Sequence, residues 1–269
     1  MEFRELDQEK RDVVYVDGWA QIAGLHNCSS LAGMISRPLF IWLLLVTALE
    51  ITGDLLRIPV LHYVCKPLIM LSLMTWVVFK RAHWQESGPV RWLFVGMVFA
   101  LLGDVFLMIR EIDLFVVGLG SFLFMQLAYI ASFWGQLSDA GVRLSARQFA
   151  LRAIPFGLYS AGFLLYLYKP LRATGLLGPV VGYVVCIALM GIMAAMRREA
   201  VTEANYRQVV AGAVLFMLSD SAIALNKFAF PLPVASLIVM STYAAAQYLI
   251  VTGVVQATAD VEGAEEAVL

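Results

Sequence analysis

Apolar residues occupy most of this chain in long runs, and such runs recur eight times. Each run is roughly 20 residues long, enough for a helix to cross about 30 Å of hydrocarbon at about 1.5 Å per residue. The pattern predicts an all-α polytopic membrane protein with about eight transmembrane helices. The predicted spans are 38–57, 63–80, 91–110, 114–135, 149–168, 176–196, 208–227 and 233–255.

The pattern divides the chain into three parts. Residues 1–37 are of mixed character and form a polar N-terminal segment, and residues 38–256 form the eight-helix transmembrane domain. Residues 257–269 are small and acidic, so we expect a disordered tail there. The charged N-terminus lacks the features of a signal peptide, and the first span is therefore expected to direct membrane insertion.

Lysine and arginine residues set the expected orientation. With an even number of spans, both termini lie on one side, together with the loops 80–91, 143–152 and 197–207. That side carries 13 Lys and Arg residues, and the other side carries 6. Because cytosolic loops hold the excess of these residues, both termini are expected in the cytosol.

Composition supports lipid as the solvent and narrows the partners. Hydrophobic residues make up 61% of the chain and charged residues 14%, far from the balance of a soluble domain. The net charge is −1 and there is no basic run, so nucleic acid is not an expected partner. Cys28, Cys65 and Cys186 are far apart, which argues against a disulfide framework or a zinc ribbon.

Four acidic residues fall inside the predicted spans, where a carboxylate costs about 2.5–3.5 kcal/mol or more. Glu50 and Asp54 lie one turn apart near the end of the first span. The simpler interpretation places them at the headgroups, paired with Arg57. Asp104 and Asp220 lie deeper in the third and seventh spans. An asparagine would hold helices together equally well, so these two carboxyls indicate function.

Other polar residues lie at similar depth on separate spans. They are Lys66, Gln126, Tyr129, Asn226, Lys227, Tyr243 and Gln247. Together with the two aspartates they suggest a pocket inside the bundle, on the non-cytosolic side. The alternative for the glutamines is a structural role, since hydrogen bonds between membrane helices contribute about 0.6 kcal/mol each. Lys66 can equally well extend its ammonium to the interface.

Two halves of the chain show weak similarity. Leu-Leu-Gly-Asp104 in the third span matches Met-Leu-Ser-Asp220 in the seventh. Each is followed, one span later, by a tyrosine, Tyr129 or Tyr243. This spacing is compatible with two parallel four-helix repeats around an axis normal to the membrane, which would bring Asp104 and Asp220 towards each other.

Absent residues limit the chemistry. His26, His62 and His83 all lie outside the predicted spans, which argues against a histidine-based zinc site or a serine lipase in the membrane. There is no Walker or dinucleotide-binding motif, and no metal or cofactor is implied. The groups that remain are two carboxyls, hydroxyls, amides and a lysine. Two neighbouring buried carboxyls tend to share one proton and so supply an acid and a base.

These motifs, in this order, resemble a known family. Lys66-Pro-Leu opens the second span, and Gly-Asp104 lies in Leu-Leu-Gly-Asp-Val-Phe-Leu-Met. Gln126 and Tyr129 follow on the fourth span, Ser-Asp220-Ser on the seventh, and Thr-Tyr243 with Ala-Gln247 on the eighth. The chain resembles the lysoplasmalogenase family of YhhN-like integral membrane proteins over roughly residues 40–255.

The resemblance implies hydrolysis of the vinyl ether bond of lysoplasmalogens. The expected products are a fatty aldehyde and glycerophospho-ethanolamine or glycerophospho-choline. It implies a lysophospholipid substrate drawn from membrane lipid, Asp104 and Asp220 as the paired acids, and Lys66 as the family lysine. Eukaryotic members are expected in the endoplasmic reticulum. One departure is Gln126, where members usually have histidine, since glutamine cannot carry a proton.

Two other functions fit parts of the pattern. A non-enzymatic lipid or proton-coupled transporter also has repeats and acids in its membrane helices. An intramembrane aspartyl protease also has two membrane aspartates, but its first motif glycine is missing before Leu-Gly-Asp104, and its other motifs are missing as well. The sequence gives no oligomeric state.

Overall fold

The computed structural model describes residues 25–80, 87–109 and 112–266, with side chains from Arg37 to Asp260 apart from the same gaps. Within these ranges all regular secondary structure is helical. The eight α-helices are α1 (Leu25–Leu55), α2 (Pro59–Lys80), α3 (Gly88–Met108), α4 (Phe115–Asp139), α5 (Ala146–Ala173), α6 (Leu177–Met196), α7 (Glu203–Phe228) and α8 (Ala235–Glu266). A short 3-10 helix, Arg197–Glu199, follows α6.

Eight helices in the described residues are long and apolar enough to cross a membrane, which confirms the predicted fold class. Several extend beyond the predicted spans at their ends. α7, for example, begins at Glu203, before the predicted start at 208, because Thr202 caps it by accepting a hydrogen bond from the backbone N–H of Asn205. Polar first turns of this kind suit the headgroup layer. A span predicted from its apolar residues alone therefore omits them.

The chain divides into two compact units, Met1–Trp42 and Leu43–Leu269. In the first unit the described part is the beginning of α1, which is helical from Leu25 and continues through Pro38. The polar segment predicted over 1–37 therefore lies largely outside the described residues, and its described part, from residue 25, is helical. The second unit contains the rest of α1 and all the other helices, and it holds every residue of the site described below.

The last helix differs from the expected tail. α8 continues to Glu266, ten residues beyond Gln256. Ala257 is buried, and Asp260 accepts a hydrogen bond of 2.9 Å from the side chain of Asn205 in α7. These contacts give the extra turns a packing partner, which the small and acidic composition of the segment does not reveal. The prediction of disorder remains for residues 267–269, which lie outside the described part of the chain.

Two helix pairs pack closely through glycine. A Cβ at Gly96 in α3 would meet the Tyr129 ring at 2.5 Å and the Met125 carbonyl oxygen at 3.2 Å. A Cβ at Gly212 in α7 would meet the Ala246 carbonyl oxygen at 3.0 Å. Gly96 and Gly212 have the same separation in sequence as Asp104 and Asp220. The shared packing supports two similar halves of the chain. Since Gly96 faces Met125 and Gly212 faces Ala246, the following residues, Gln126 and Gln247, correspond to each other. Tyr129 and Tyr243 do not.

One prediction about histidine is wrong. His62 lies inside α2 and is buried, and its Nδ1 is 3.0 Å from Oε1 of Glu50. Glu50 therefore pairs with His62 and not with Arg57, and Asp54 lies 3.9 Å from the same imidazole nitrogen. Arg57 is exposed at the tight turn after α1, with a φ of 55°. The turn brings the start of α2 back over Glu50. The predicted span began at residue 63 and so did not include this first turn of α2.

Candidate active site

Asp104 lies one turn before the end of α3 and is 2% exposed. Its Oδ2 accepts a hydrogen bond of 2.6 Å from the hydroxyl of Tyr243 in α8. The preceding residue, Gly103, allows this arrangement, because a Cβ there would lie 2.7 Å from the ring of Phe122. The Gly-Asp pair thus lets an aromatic ring of α4 pack closely beside a buried carboxyl.

Asp220 lies in α7, two turns before its end at Phe228. Its Oδ2 accepts a hydrogen bond from the hydroxyl of Tyr183 in α6. Unlike Asp104, Asp220 keeps part of its surface open, because it forms part of a cavity wall. Each aspartate is therefore held by a tyrosine from another helix, and one of the two faces an open space.

The two carboxyls lie within electrostatic reach of each other, and the Tyr243 hydroxyl is within reach of both. Phe122, Phe216 and Tyr243 pack as an aromatic cluster beside them, with ring centroids 6.0–6.1 Å apart. Aromatic packing of this kind keeps water away from the carboxyls. The arrangement provides two acids from α3 and α7 in an environment of low polarity.

An apolar cavity extends from Asp220 between α4, α5, α6 and α7. It has about 670 Å³ of empty volume, including its open mouth. Its walls are mostly aliphatic and aromatic, among them Leu119, Phe163 and Val184. Asp220, Tyr183 and the hydrogen-bonded hydroxyls of Tyr159 and Ser221, 2.7 Å apart, supply its polar atoms. The cavity suits an alkyl chain with a polar group at one end.

A second cavity lies at the end of the bundle where α3 and α7 finish and is more polar. It has about 1060 Å³ of empty volume with its opening, and it shares Leu107, Phe115 and Ile223 with the apolar cavity. Its charged and amide groups come from Lys66, Asp113, Asn226 and Lys227. We call it the vestibule. An apolar cavity that meets a charged vestibule matches the shape and polarity of a single-chain lipid.

Three of the predicted residues meet in the vestibule, namely Lys66, Asn226 and Lys227. The Lys227 ammonium is 3.2 Å from Oδ2 of Asp113, while Asn226 accepts a hydrogen bond of 2.9 Å from the backbone N–H of Leu232. A hydrogen bond from the Phe115 backbone N–H and the pairing with Lys227 hold the pKa of Asp113 below its ordinary value. Asp113 is thus an anion under ordinary conditions, and Lys66 is the lysine left to meet a phosphate.

Tyr129 and Gln247 lie apart from both cavities. The Tyr129 hydroxyl donates a hydrogen bond of 2.7 Å to Oε1 of Gln247, and both residues are fully buried. Neither lines the apolar cavity or the vestibule. The structure therefore places this predicted pair in a contact between α4 and α8 and not against the space for a ligand.

Gln126 is fully buried beside the catalytic candidates. Its amide lies next to the Tyr183 hydroxyl, but neither of its polar atoms makes a hydrogen bond of normal geometry within the described part of the chain. A buried amide without partners costs about 1–3 kcal/mol. Gln126 is therefore a costly buried amide beside Tyr183, the tyrosine that contacts Asp220.

Sequence reasoning missed Tyr183 and Asp113. Tyr183 lies in a span with no other strongly polar group, and tyrosine is common at membrane interfaces, so it did not stand out. A tyrosine two turns inside a predicted span is nevertheless a signal of a buried partner. Asp113 lies in a loop, where an acid is unremarkable in sequence. Across the described residues, no group of three or more His, Cys, Asp or Glu side chains is arranged to hold a metal.

Comparison with known proteins gives a consistent result. Lysoplasmalogenase TMEM86A of Bos taurus is 38% identical over 175 residues, which are 63% of this chain and 68% of the relative. The Homo sapiens protein of the same name is 36% identical over 173 residues, with the same coverage of 63% and 68%. A lysoplasmalogenase of Mycobacterium tuberculosis is 26% identical over 193 residues, 71% of each chain. No solved structure matches the chain.

The sequence profile of the YhhN family matches residues 61–254, which include all nine predicted site residues from Lys66 to Gln247. The match covers well over half of the chain, and it spans α2 to α8. The protein is therefore a member of the YhhN family, as its motifs indicated.

Proposed function

We propose that this protein is a lysoplasmalogenase, a membrane hydrolase that cleaves the vinyl ether bond of a lysoplasmalogen. The products are a fatty aldehyde and glycerophospho-ethanolamine or glycerophospho-choline. One observation carries the proposal: two carboxyls, the buried Asp104 and the partly buried Asp220, lie within electrostatic reach of each other beside a cavity for an alkyl chain. The relatives named lysoplasmalogenase in mammals and in Mycobacterium support it.

The two cavities support a lipid with one chain. The alkenyl chain would lie in the apolar cavity, which ends at Asp220 and Tyr183. The glycerophosphate would lie in the vestibule, where Lys66 supplies a point charge for the phosphate. The vinyl ether oxygen joins these two parts of the substrate, so it would lie where the cavities meet, close to the carboxyls.

Vinyl ethers are stable to base and are cleaved by acid. A general acid delivers a proton to the β-carbon of the double bond, and the π electrons form the new C–H bond. This leaves an oxocarbenium ion at the α-carbon, to which water adds. The hemiacetal then breaks its bond to the glycerol oxygen and gives aldehyde and alcohol. Asp104 and Asp220 supply the acid, and the charge that stabilises the cation, as two carboxyls do in glycosidases.

The remaining predicted residues have supporting roles. Gln126 and Tyr243 lie next to the two carboxyls and are placed to orient the water or the ether. Tyr129 and Gln247 hold α4 against α8 behind them. We also propose that the protein resides in the endoplasmic reticulum, as the family resemblance implies. The distribution of Lys and Arg supports a cytosolic location for both termini.

The test is aldehyde release from a purified lysoplasmalogen in detergent micelles. Wild-type protein is expected to release aldehyde, and Asp104→Asn and Asp220→Asn are each expected to lose activity by a factor on the order of 1,000. Asp139→Asn, at an exposed position at the end of α4, is the matched control and should retain wild-type activity. A transporter would release no aldehyde, and micelles sustain no gradient for it to use. Absence of aldehyde with wild-type protein would therefore reject the proposal.

A further inference from the structure

Tyr183 is the residue in contact with Asp220 that neither the sequence motifs nor the family resemblance identified. It lies in α6, its side chain is 5% exposed, and its hydroxyl donates a hydrogen bond to Oδ2 of Asp220. Both residues form part of the wall of the apolar cavity. A chain in that cavity would therefore touch Tyr183 and Asp220 together.

The two aspartates differ in what surrounds them. Asp220 lines the apolar cavity, whereas Asp104 contributes to the wall of neither cavity and is closed in by Tyr243. The groups that act on Asp220 are Tyr183 from α6 and Asp104 from α3, with Tyr243 from α8 within reach.

We propose that Asp220 is the acid that protonates the alkenyl chain and that Tyr183 is its positioning residue. This inference rests on the proposed function and divides the two carboxyls, which sequence alone does not. Asp104, which lines neither cavity, is the second carboxyl of the pair and supplies the negative charge that stabilises the oxocarbenium ion. Asp220 is the carboxyl with access to the substrate.

The hydrogen bond from Tyr183 decides which oxygen of Asp220 reacts. Because Oδ2 accepts the tyrosine hydroxyl, the acidic proton resides on Oδ1. When this proton passes to the β-carbon, the electrons of the O–H bond remain on the carboxylate, and the hydrogen bond from Tyr183 becomes charge-assisted and stronger. The interaction thus grows as the proton leaves, and it lowers the barrier without affecting substrate binding.

The same carboxylate can complete the cycle. As water adds to the α-carbon, Oδ1 of Asp220 accepts one of its protons, which neutralises the cation and restores the acid. The hydrolysis then needs no proton from outside the site, in agreement with its overall balance of one water consumed. The Gln126 amide lies next to the Tyr183 hydroxyl, although it makes no hydrogen bond of normal geometry within the described residues.

The experiment compares Tyr183→Phe with wild-type protein in the micelle assay. Phenylalanine keeps the ring and removes the hydroxyl, so the expected result is a fall in kcat on the order of 100-fold with KM within about threefold of wild type. Removing the donor destabilises the ionised form of Asp220, so the acid keeps its proton to a higher pH. The basic limb of the kcat profile is therefore expected to move to higher pH.

Each outcome has a defined meaning. If wild-type protein releases no aldehyde, the proposed function fails; if it is active and Tyr183→Phe matches it, this inference alone fails. A lower kcat with an unchanged pH profile would indicate only less correctly folded protein and would also overturn the positioning role. Tyr166→Phe, which removes a lipid-exposed hydroxyl in α5, controls for purification and micelle effects and should behave as wild type.

Discussion

The hydroxyl of Tyr243 donates a hydrogen bond of 2.6 Å to Oδ2 of Asp104, although the two residues are 139 positions apart in the chain. This contact joins α8 to α3, and Tyr243 also packs against Phe122 of α4 and Phe216 of α7. One tyrosine therefore touches three other helices around the candidate site. Its ring and its hydroxyl have separate effects, which substitution can distinguish.

Tyr243→Phe is expected to lower both stability and activity. The aromatic packing survives, but Oδ2 of Asp104 loses its donor in a site that water does not reach, which costs about 1–3 kcal/mol. The thermal midpoint in detergent should fall, and kcat for aldehyde release should fall about tenfold as the charge on Asp104 becomes less stable. Tyr206→Phe, near the start of α7, should change neither. An unaltered midpoint in Tyr243→Phe would show that this hydrogen bond does not stabilise the protein.

Gly103→Ala tests the space between α3 and α4. The added methyl group would lie 2.7 Å from the Phe122 ring, so the ring must move, at a cost of about 1–3 kcal/mol. Because Phe122 lies beside both the apolar cavity and Tyr243, we expect a lower thermal midpoint and at least a tenfold loss of kcat/KM.

The matched control is Gly120→Ala in α4, where an added Cβ meets nothing within 4 Å. Alanine there gains helix propensity, so this variant should be as stable as wild type or more so. Equal behaviour of the two alanine variants would show that the Gly103–Phe122 contact does not shape the site.

The sequence predicted the eight spans well, because a span is defined by the cost of placing polar groups in lipid. That cost is visible at Asp104 and Asp220 without any knowledge of packing. The sequence also pointed to Lys66, Asn226 and Lys227, which lie together in the vestibule. These predictions needed only the order of the helices and the side of the membrane on which each residue falls.

Partners were harder to predict, because helix rotation is set by packing and not by hydropathy. Tyr129 and Tyr243 looked equivalent in sequence, yet one bonds Gln247 and the other bonds Asp104. The depth of Tyr183 inside its predicted span separates it from an interface tyrosine, but that depth does not identify Asp220 as its partner. The Glu50–His62 pair was missed because the boundary of α2 was placed a few residues too late. An error of one turn was enough to exclude a buried imidazole.

Lys66→Met tests the vestibule as the headgroup site. Methionine keeps the length of the side chain and removes its charge, so the attraction for the substrate phosphate is lost. KM for lysoplasmalogen should rise about tenfold, equivalent to about 1.4 kcal/mol. KM for an alkenyl glycerol without phosphate should stay the same, and this pair of substrates separates phosphate binding from any effect of Lys66 on Asp104.

Lys169→Met is the matched control, since Lys169 is exposed near the end of α5 and lies in neither cavity. It should leave both KM values unchanged. If Lys66→Met raised KM equally for both substrates, the phosphate would have to bind elsewhere.

Gln126→His introduces the residue that the family resemblance implies at this position. The glutamine amide is fully buried next to Tyr183 and has unpartnered polar atoms among the described residues, so it gains little from being there. An imidazole of similar size can donate or accept a hydrogen bond at Tyr183 and can also carry a proton. We expect kcat to rise several-fold, because general acid–base groups typically contribute at least 100-fold where they are fully used.

Gln126→Leu, which removes the polar atoms and keeps the bulk, separates packing from chemistry. It should raise stability, by relieving the unpaired amide, without raising kcat. A histidine variant no faster than the leucine variant would show that position 126 serves packing alone, and that Asp220, Tyr183 and Asp104 perform the chemistry without a third proton carrier.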